Sequence, residues 1–455
     1  MKQALLFPES ELPKTQTDKQ DQSTKWPSTG ELLALAHCDL PSPKPEEQLL
    51  PPVTVLGMGL LPRVPPPFMQ LVKESDVLVA GQLLLEQFAE LKAEKIAVRS
   101  PVEEVLQRIV MLREQGKSIT VLADGDPLFF GLGASLTRLF PPDALRIAPG
   151  ISSLQEACAR LCLPWHNVRC VSLHGRHSFD QLASAIAGAQ SLCLLTDTAN
   201  NPSRIAAFLL DRGIDWFTMH VFERMRHEDE LVRSCALAQA ASLSFGPACT
   251  ILLVASAPAR LPFLGIPDTA LAHEGELFTK EAVRAAALAR LRIRPGYLLW
   301  DIGAGSGAVA LEACALAHRG RVFAIEQNPA RILCMEENRR RFGAANMEIV
   351  HGCAPECLAK LPDPDAIFVG GGLGKSEATP ALLGELCARL KAGGRLLLSC
   401  ILMGSLERSR AFFAEQGWPI ELTSLQATKS SPLGQDLRLA ALNPVFLLST
   451  QKRED

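Results

Sequence analysis

Apolar residues come in short runs along most of this chain, separated by stretches whose apolar positions recur at helical spacing. VTVLGMG, starting at Val53, reads as a buried strand ending in a glycine turn, and VLVAG (77–81) as the next strand. VEEVLQRIVMLREQG (102–116) is an amphipathic helix with a glycine stop. SITVLADGDP (118–127) is a strand running into a loop, and LRIAPGISSLQEACARL (145–161) is a strand, a Pro-Gly turn and a helix that starts near Ser152. SLCLLTD (191–197), TMHVFERM (218–225) and ACTILLVAS (248–256) are further strands, with the helix PSRIAAFLLDRG after the first of them. The alternation predicts an α/β domain of about 200 residues.

A second alternating run follows a Pro- and Gly-dotted connector at 257–276. FTKEAVRAAALARLRI (278–293) predicts a helix with Thr279 as its cap. YLLWDIGAGSG (297–307) is a strand entering a glycine turn. RVFAIEQN (321–328), MEIVHG (347–352), DAIFVGGG (365–372) and GRLLLSC (394–400) are strands between helices, and LRLAALNPVFLLS (437–449) reads as a late hairpin or paired strands. The expected organisation is a disordered tail at 1–50, a first α/β domain at 51–256, a linker at 257–276 and a second α/β domain at 277–455.

Composition narrows the function classes. The 455 residues are 47% apolar and 21% charged, with a formal net charge of −3, which argues against a broad basic surface for nucleic acid. Residues 1–50 are polar and Pro-rich, too poor in apolar residues to form a core. No apolar run approaches the roughly 20 residues a membrane helix needs, and the start MKQALLFPESE holds too short a run for a signal peptide. A cytoplasmic protein is expected. The 13 cysteines include no C-x-x-C, so no disulfide framework is expected. Cys158/Cys162 and Cys353/Cys357 are read as buried small hydrophobes. His174 and His177 lack a neighbouring carboxylate or thiol at metal-binding spacing, so no metal is expected.

The sharpest local signal is Asp301-Ile302-Gly303-Ala304-Gly305-Ser306-Gly307, between a buried strand and the helix AVALEACALA. Glycines there allow a tight turn and bring backbone amides close to a ligand. The next strand ends in Glu326, where a carboxylate can accept hydrogen bonds from ribose hydroxyls. A turn without a ligand and a dinucleotide site both remain readings, since Gly303, Gly305 and Ala308 satisfy the loose dinucleotide spacing. Asp301 favours S-adenosylmethionine: a carboxylate there can hold a cationic amino group and repels a pyrophosphate.

The stretches FTKEAVRAAALARLRIRPGYLLWDIGAGSGAVALEAC, VFAIEQNP and HGCAPECLAKLPDPDAIFVGGG resemble the methyltransferase domain that methylates C15 of a precorrin and decarboxylates its C12 acetate. The resemblance covers about 276–449. It implies a Rossmann-like, S-adenosylmethionine-dependent domain in which Thr279, the 303–307 loop, Glu326 and Ala354 line the cofactor site. It places Gly370, Gly371 and Gly372 in a substrate-facing loop.

In the first domain, Gly57-Met58-Gly59, Gly125-Asp126-Pro127 and Pro149-Gly150-Ile151-Ser152-Ser153 each follow a strand, where open α/β sheets bind ligands. Ser152 is also a helix cap and Asp126 a turn former in their plain structural readings. With VLADGDPLFFGLG, VSLHGR and LLTDTANNPSRIAAFLL, these loops resemble the tetrapyrrole methyltransferase family, and its C5-methylating member most closely. That implies a two-lobed domain binding a second S-adenosylmethionine near Gly57, Gly59, Asp126, Phe129, Ser152 and Ser153. The loop GMGLLPRVPPP departs from the family's small-residue pattern. The two resemblances in this order match the bifunctional C5,15-methylating, decarboxylating precorrin methyltransferases.

The implied substrate is a polycarboxylate tetrapyrrole, so cations should line its pocket. Arg176, Lys429 and Arg438 are the candidates, beside Gly371 and Gly372. Methyl transfer needs positioning more than acid–base help, and no catalytic acid is assigned. A homo-oligomer is expected. The rival readings are a nucleic-acid methyltransferase, which predicts a basic groove with stacking aromatics, and a two-domain NAD-binding oxidoreductase.

Overall fold

The computed structural model of the chain describes residues 50–60, 64–99, 101–247, 249–275, 278–373 and 379–454. The expected disordered tail lies outside the described residues, apart from Leu50.

Among the described residues, three sheets of five or more strands follow one another along the chain. The first holds β1 (Val53–Gly57), β2 (Val77–Ala80), β3 (Glu94–Ala97), β4 (Ile119–Ala123) and β5 (Leu145–Ala148). Its order is β3-β2-β4-β1-β5, with every neighbouring pair parallel. Alternation along β1 sends Val53 and Val55 into one core and Leu56 into the other, so both faces are covered. Because β4, β1 and β5 are adjacent, the loops after them emerge side by side.

The second sheet has β6 (Arg169–Ser172), β7 (Ser191–Leu195), β8 (Phe217–Glu223), β9 (Leu231–Ala236) and β10 (Cys249–Ala255), in the order β6-β7-β10-β8-β9. Only β6–β7 is parallel there.

The third sheet contains β11 (Leu298–Ile302), β12 (Arg321–Glu326), β13 (Met347–His351), β14 (Ala366–Val369), β15 (Arg395–Cys400), β16 (Ile420–Leu425) and β19 (Val445–Gln451). Its order is β13-β12-β11-β14-β15-β19-β16, parallel except along β19. The strand order reverses at β11, and the glycine turn lies at the carboxyl end of that strand, where open sheets take ligands.

The late segment corrects one expectation. β18 (Asp436–Ala441) does not pair with β19; it forms a separate hairpin with β17 (Thr428–Leu433). β19 is buried along most of its length and inserts between β15 and β16, whereas β18 is exposed on nearly every residue. Thr279 is a second correction. The helix runs Glu281–Leu291 with Lys280 at its N-cap and no side-chain cap. Ser152 does cap the helix Ser153–Arg160, in a reciprocal capping box with Gln155.

The stretch expected as a linker is pinned at its far end. The Gly265 and Ile266 amides donate to Glu312 at 3.2 and 3.1 Å, and Ile266 is fully buried in the third sheet's core. Arg284, wholly buried, pairs with Glu312 and Asp268 at 2.8 Å each and donates to the Ile266 carbonyl. Removing one member of such a buried set costs about 3–5 kcal/mol, because the remaining charge is stranded. A seam of charges also joins the second and third sheets. Arg212 bonds Glu348 at 3.0 Å and the Ala345 carbonyl at 3.1 Å, and Arg339 meets Asp211 at 2.8 Å.

All twelve described cysteines are free thiols. Cys158 is buried as expected, but Cys162 and Cys353 are exposed. No described helix is long and apolar enough to cross a membrane. No group of three potential metal ligands occurs among the described residues.

Candidate active sites at the strand ends

A cavity of about 530 Å³ opens at the carboxyl ends of β11, β12 and β14. Thr279, Gly303, Ala304, Gly305, Glu326 and Ala354 line it, together with Gly370, Gly371 and Gly372. Part of the sequence-predicted cofactor group therefore shares one space with the 370–372 loop. Freed from capping, Thr279 stands in its wall, and its carbonyl accepts from the buried Arg284 at 2.7 Å.

The three glycines of the turn do three different jobs. A Cβ on Gly303 would lie 2.8 Å from the Gly371 Cα, so this glycine lets two backbones touch. A Cβ on Gly307 would meet the Met335 and Met347 side chains at 2.6 and 2.7 Å. Only at Gly305 would a Cβ find nothing within 4 Å. Gly305 thus presents bare backbone to the cavity, in a left-handed conformation with φ of 60°.

Glu326 ends β12 and holds this loop. Its Oε2 accepts from the Gly305 amide at 2.9 Å, and its Oε1 from the Gln327 and Asn328 amides at 2.9 Å each. A carboxylate has about four lone-pair sites. One therefore remains on Oε2 for a hydroxyl of a bound ribose, and a second hydroxyl has to replace the Gly305 amide.

Asp301, Ser306 and Gly307 are not in the cavity wall. Asp301 is 1% exposed, and strand alternation puts it on the face of the helix Ala308–Leu316, with Ile302 turned the other way. Its Oδ2 accepts from the Ala310 amide at 3.0 Å while Oδ1 has no partner. Burial, with the nearby Glu326 charge, pushes its carboxyl up to about 7 against that hydrogen bond. Asp301 therefore braces the helix start behind the loop. Ser306 is buried, and its carbonyl accepts from Asn338 at 2.9 Å.

Lys429 and Arg438 also lie elsewhere. Lys429 joins the Asp268–Arg284 cluster at 2.9 Å, and Arg438 donates to Ser431 on the partner strand of its hairpin. The residues at the hairpin's base, Ala427, Leu442 and Asn443, line the cavity instead. Phe278, Lys280 and Arg331 line it too, and none was singled out in the sequence. The Lys280 ammonium lies 3.8 Å from the Phe278 ring centroid, a pairing across Thr279 that the sequence did not signal.

In the first half the loops after β1, β4 and β5 interlock. Gly59 and Gly125 exchange backbone hydrogen bonds at 3.1 and 2.6 Å. A Cβ on Gly57 would sit 2.4 Å from the Gly150 nitrogen, so Gly57 serves backbone packing. Asp126 accepts from the Leu128 amide at 2.8 Å and the Gly150 amide at 3.3 Å, tying two of the loops together. Phe129 is half-buried against the cluster of Leu154, Phe222 and Met225. Ser152 is occupied in its capping box, and Ser153 opens the helix. Arg176 borders a separate depression of about 400 Å³ with Gly175, His177 and Asp180.

The chain matches the Tetrapyrrole (Corrin/Porphyrin) Methylases family over residues 55–241 and the Precorrin methyltransferase domain over 269–452. It is 35% identical over 337 residues to a Sinorhizobium precorrin-6Y C(5,15)-methyltransferase [decarboxylating], covering 73% of this chain and 80% of that one. A Salmonella typhimurium cobalt-precorrin-6B C(15)-methyltransferase (decarboxylating) is 37% identical over 186 residues, 41% of this chain and 94% of its own. A solved precorrin-6y C5,15-methyltransferase structure from Geobacter metallireducens is 33% identical, covers 42% of this chain and 99% of that one, and has a TM-score of 0.40. With a relative 35% identical and covered over 80% of its length, the chain belongs to the precorrin-6Y C(5,15)-methyltransferase (decarboxylating) family.

Proposed function

We propose that the chain methylates a precorrin at C5 and C15 and decarboxylates its C12 acetate, using S-adenosylmethionine at two separate sites. The observation that carries this reading is the cavity where bare Gly305 backbone meets Glu326, within a chain whose relatives are decarboxylating precorrin methyltransferases. The donor set fits the cofactor: Glu326 keeps one lone pair for a ribose hydroxyl, and Gly305 leaves room for a ligand against the loop. Bound there, S-adenosylmethionine supplies an electrophilic methyl group. The protein's part is to hold that group in line with a carbon of the macrocycle and to exclude water. Gly370, Gly371 and Gly372 form the wall that the substrate would approach.

We assign the C15 and decarboxylating activity to 277–455, with a Rossmann-like sheet, and the C5 activity to the two-lobed 51–256, with 257–276 between them. Gly59, Asp126, Phe129, Ser152 and Ser153 shape the first cofactor site, Asp126 and Ser152 by bracing loops. The curated relatives matched over 73% and 77% of the chain carry the name precorrin-6Y, and the cobalt-precorrin-6B names occur on curated relatives matched over 41–43% of it. That pattern favours a metal-free substrate. Neither the nucleic-acid nor the NAD reading gains a supporting observation. Leu433, Leu437 and Leu439 are exposed on a two-stranded hairpin of the kind that is marginal alone, which supports self-association through a second copy of the chain.

The direct test is mass spectrometry after incubating the full chain with S-adenosylmethionine and metal-free precorrin-6Y. The expected product gains two methyl groups and loses one carbon dioxide. A product unchanged in mass, from protein that binds S-adenosylhomocysteine, removes the substrate assignment.

A further inference from the structure

Five non-glycine residues among those described hold left-handed backbone: Phe130, Cys162, Arg224, Arg226 and Arg292. Arg292 merely caps a helix C-terminus. Phe130, Arg224 and Arg226, with φ of 56°, 49° and 65°, gather at one place in the first half. Phe130 is in the loop after β4, and the two arginines are in the loop after β8. The loops meet because Phe129 packs on the cluster that holds Met225, the residue between the two arginines. Left-handed backbone costs a residue with a side chain about 1–2 kcal/mol, and such strain collects where function demands a fixed presentation.

The loop's closure explains how Phe130 is held. The Pro127 carbonyl accepts from the Ala134 amide at 3.2 Å, and a Cβ on Gly131 or Gly133 would lie within 2.8 Å of that carbonyl oxygen. Within the closure the two phenylalanines diverge, their rings edge-on at 5.1 Å. Phe129 turns into the core and Phe130 stays 54% exposed. Leu128, in the same loop, is 53% exposed. Ile151, in the loop that Asp126 ties to it, is 50% exposed. Arg224 pairs with Asp229, and both side chains are more than half exposed. An exposed pair contributes little and exchanges readily for another carboxylate.

We propose that Phe130, flanked by Leu128 and Ile151, is the platform on which the flat conjugated face of the precorrin stacks for C5 methylation, with Arg224 receiving one of its peripheral carboxylates. This rests on the C5 reading of the first half. The apolar side chains match the macrocycle's face, and the cation across the loops matches its charged rim. Phe130 and Arg224 are then specificity determinants of the first site, separate from the groups that shape the cofactor loops.

Full-length Phe130→Ala, Phe130→Gly, Phe130→Trp and Arg224→Gln test this with metal-free precorrin-6Y. Phe130→Ala and Phe130→Gly are expected to raise KM for C5 methylation roughly ten-fold or more, the scale of losing one stacking aromatic. Phe130→Gly, relieved of strain, should melt no lower than wild type, and Phe130→Trp should keep the wild-type KM. Arg224→Gln should raise the same KM. Affinity for S-adenosylhomocysteine should not move in any of them. An active wild type with unchanged KM in Phe130→Ala and Phe130→Gly overturns the proposal. So does loss of S-adenosylhomocysteine at the first site, which would make Phe130 part of the cofactor pocket. A wild type that leaves C5 unmethylated overturns the reading of the first half, and the proposal with it.

Discussion

Gly305 and Gly303 are two residues apart, yet substitution should separate binding from folding. A Cβ at Gly305 meets no atom within 4 Å, so Gly305→Leu costs the fold only the left-handed backbone penalty, about 1–2 kcal/mol. Its amide still donates to Glu326, but the new side chain projects into the cavity of about 530 Å³ beside the Glu326 carboxylate. At Gly303 the smallest side chain already strikes the Gly371 backbone at 2.8 Å. Gly303→Ala adds overpacking to the left-handed penalty, about 2–5 kcal/mol together. Melting should fall by roughly 2–4 °C for each kcal/mol, as in domains of 150–250 residues. Calorimetric titration with S-adenosylhomocysteine should therefore count two sites in wild type and one in Gly305→Leu, whose circular dichroism stays native. C15 methylation and carbon dioxide release should disappear together in that variant while C5 methylation continues. A natively folded Gly305→Leu that still binds two equivalents, or still decarboxylates, would refute this placement of the second site.

Three further outcomes follow from the site and its supports. Glu326→Ala removes a charged acceptor and should weaken S-adenosylhomocysteine binding at the second site by about 10- to 100-fold, leaving the first unchanged; equal affinities at both sites in the variant and wild type would remove Glu326 from that role. Asp301, at 3.8 when unfolded and about 7 when folded, keeps its proton in the folded chain after the unfolded chain has lost it, so this group should make stability fall by about 4 kcal/mol as pH rises from about 4 to 7. Asp301→Asn should flatten that slope in urea melts, and an unchanged slope would contradict it. A fragment starting near residue 258 should be more stable than one starting near 270, which lacks the Gly265 and Ile266 amides on buried Glu312, each worth about 1.5–3 kcal/mol; matching urea midpoints would show that the segment is dispensable.

The strands that were legible in the sequence are mostly those flanked by neighbours on both sides. VTVLG, ITVLA and LLWDI became β1, β4 and β11, the central strands around which the glycine-bearing loops gather. β3, β6, β9 and β16 gave no clear signal, and each is a sheet edge. An edge strand buries one face or less, so its residues mix polar and apolar types; LVRSCA in β9 has no fully buried position. The segment 437–449 was misread for a related reason. Proximity in sequence favours pairing β18 with β19, but the apolar run of β19 is stabilised more by a central position beside β15 than by an exposed hairpin.

By itself the sequence determined the local grammar of both sites: strand, glycine turn and helix around 303–307, an acidic residue ending the next strand at Glu326, and three strand-end loops in the first half. These follow from short-range rules of alternation, turn geometry and capping, which a few adjacent residues carry. Only the tertiary structure decided what each residue does there. It set Gly303 against Gly371 and Gly307 against two methionines, leaving Gly305 alone of the three with open space beside it. It turned Asp301 behind the loop, drew Lys429 into the Arg284 cluster and brought Phe278 and Arg331 to the cavity from distant positions. Those assignments depend on which backbone or side chain arrives from elsewhere in the chain, and long-range packing leaves no mark on the spacing of neighbouring residues.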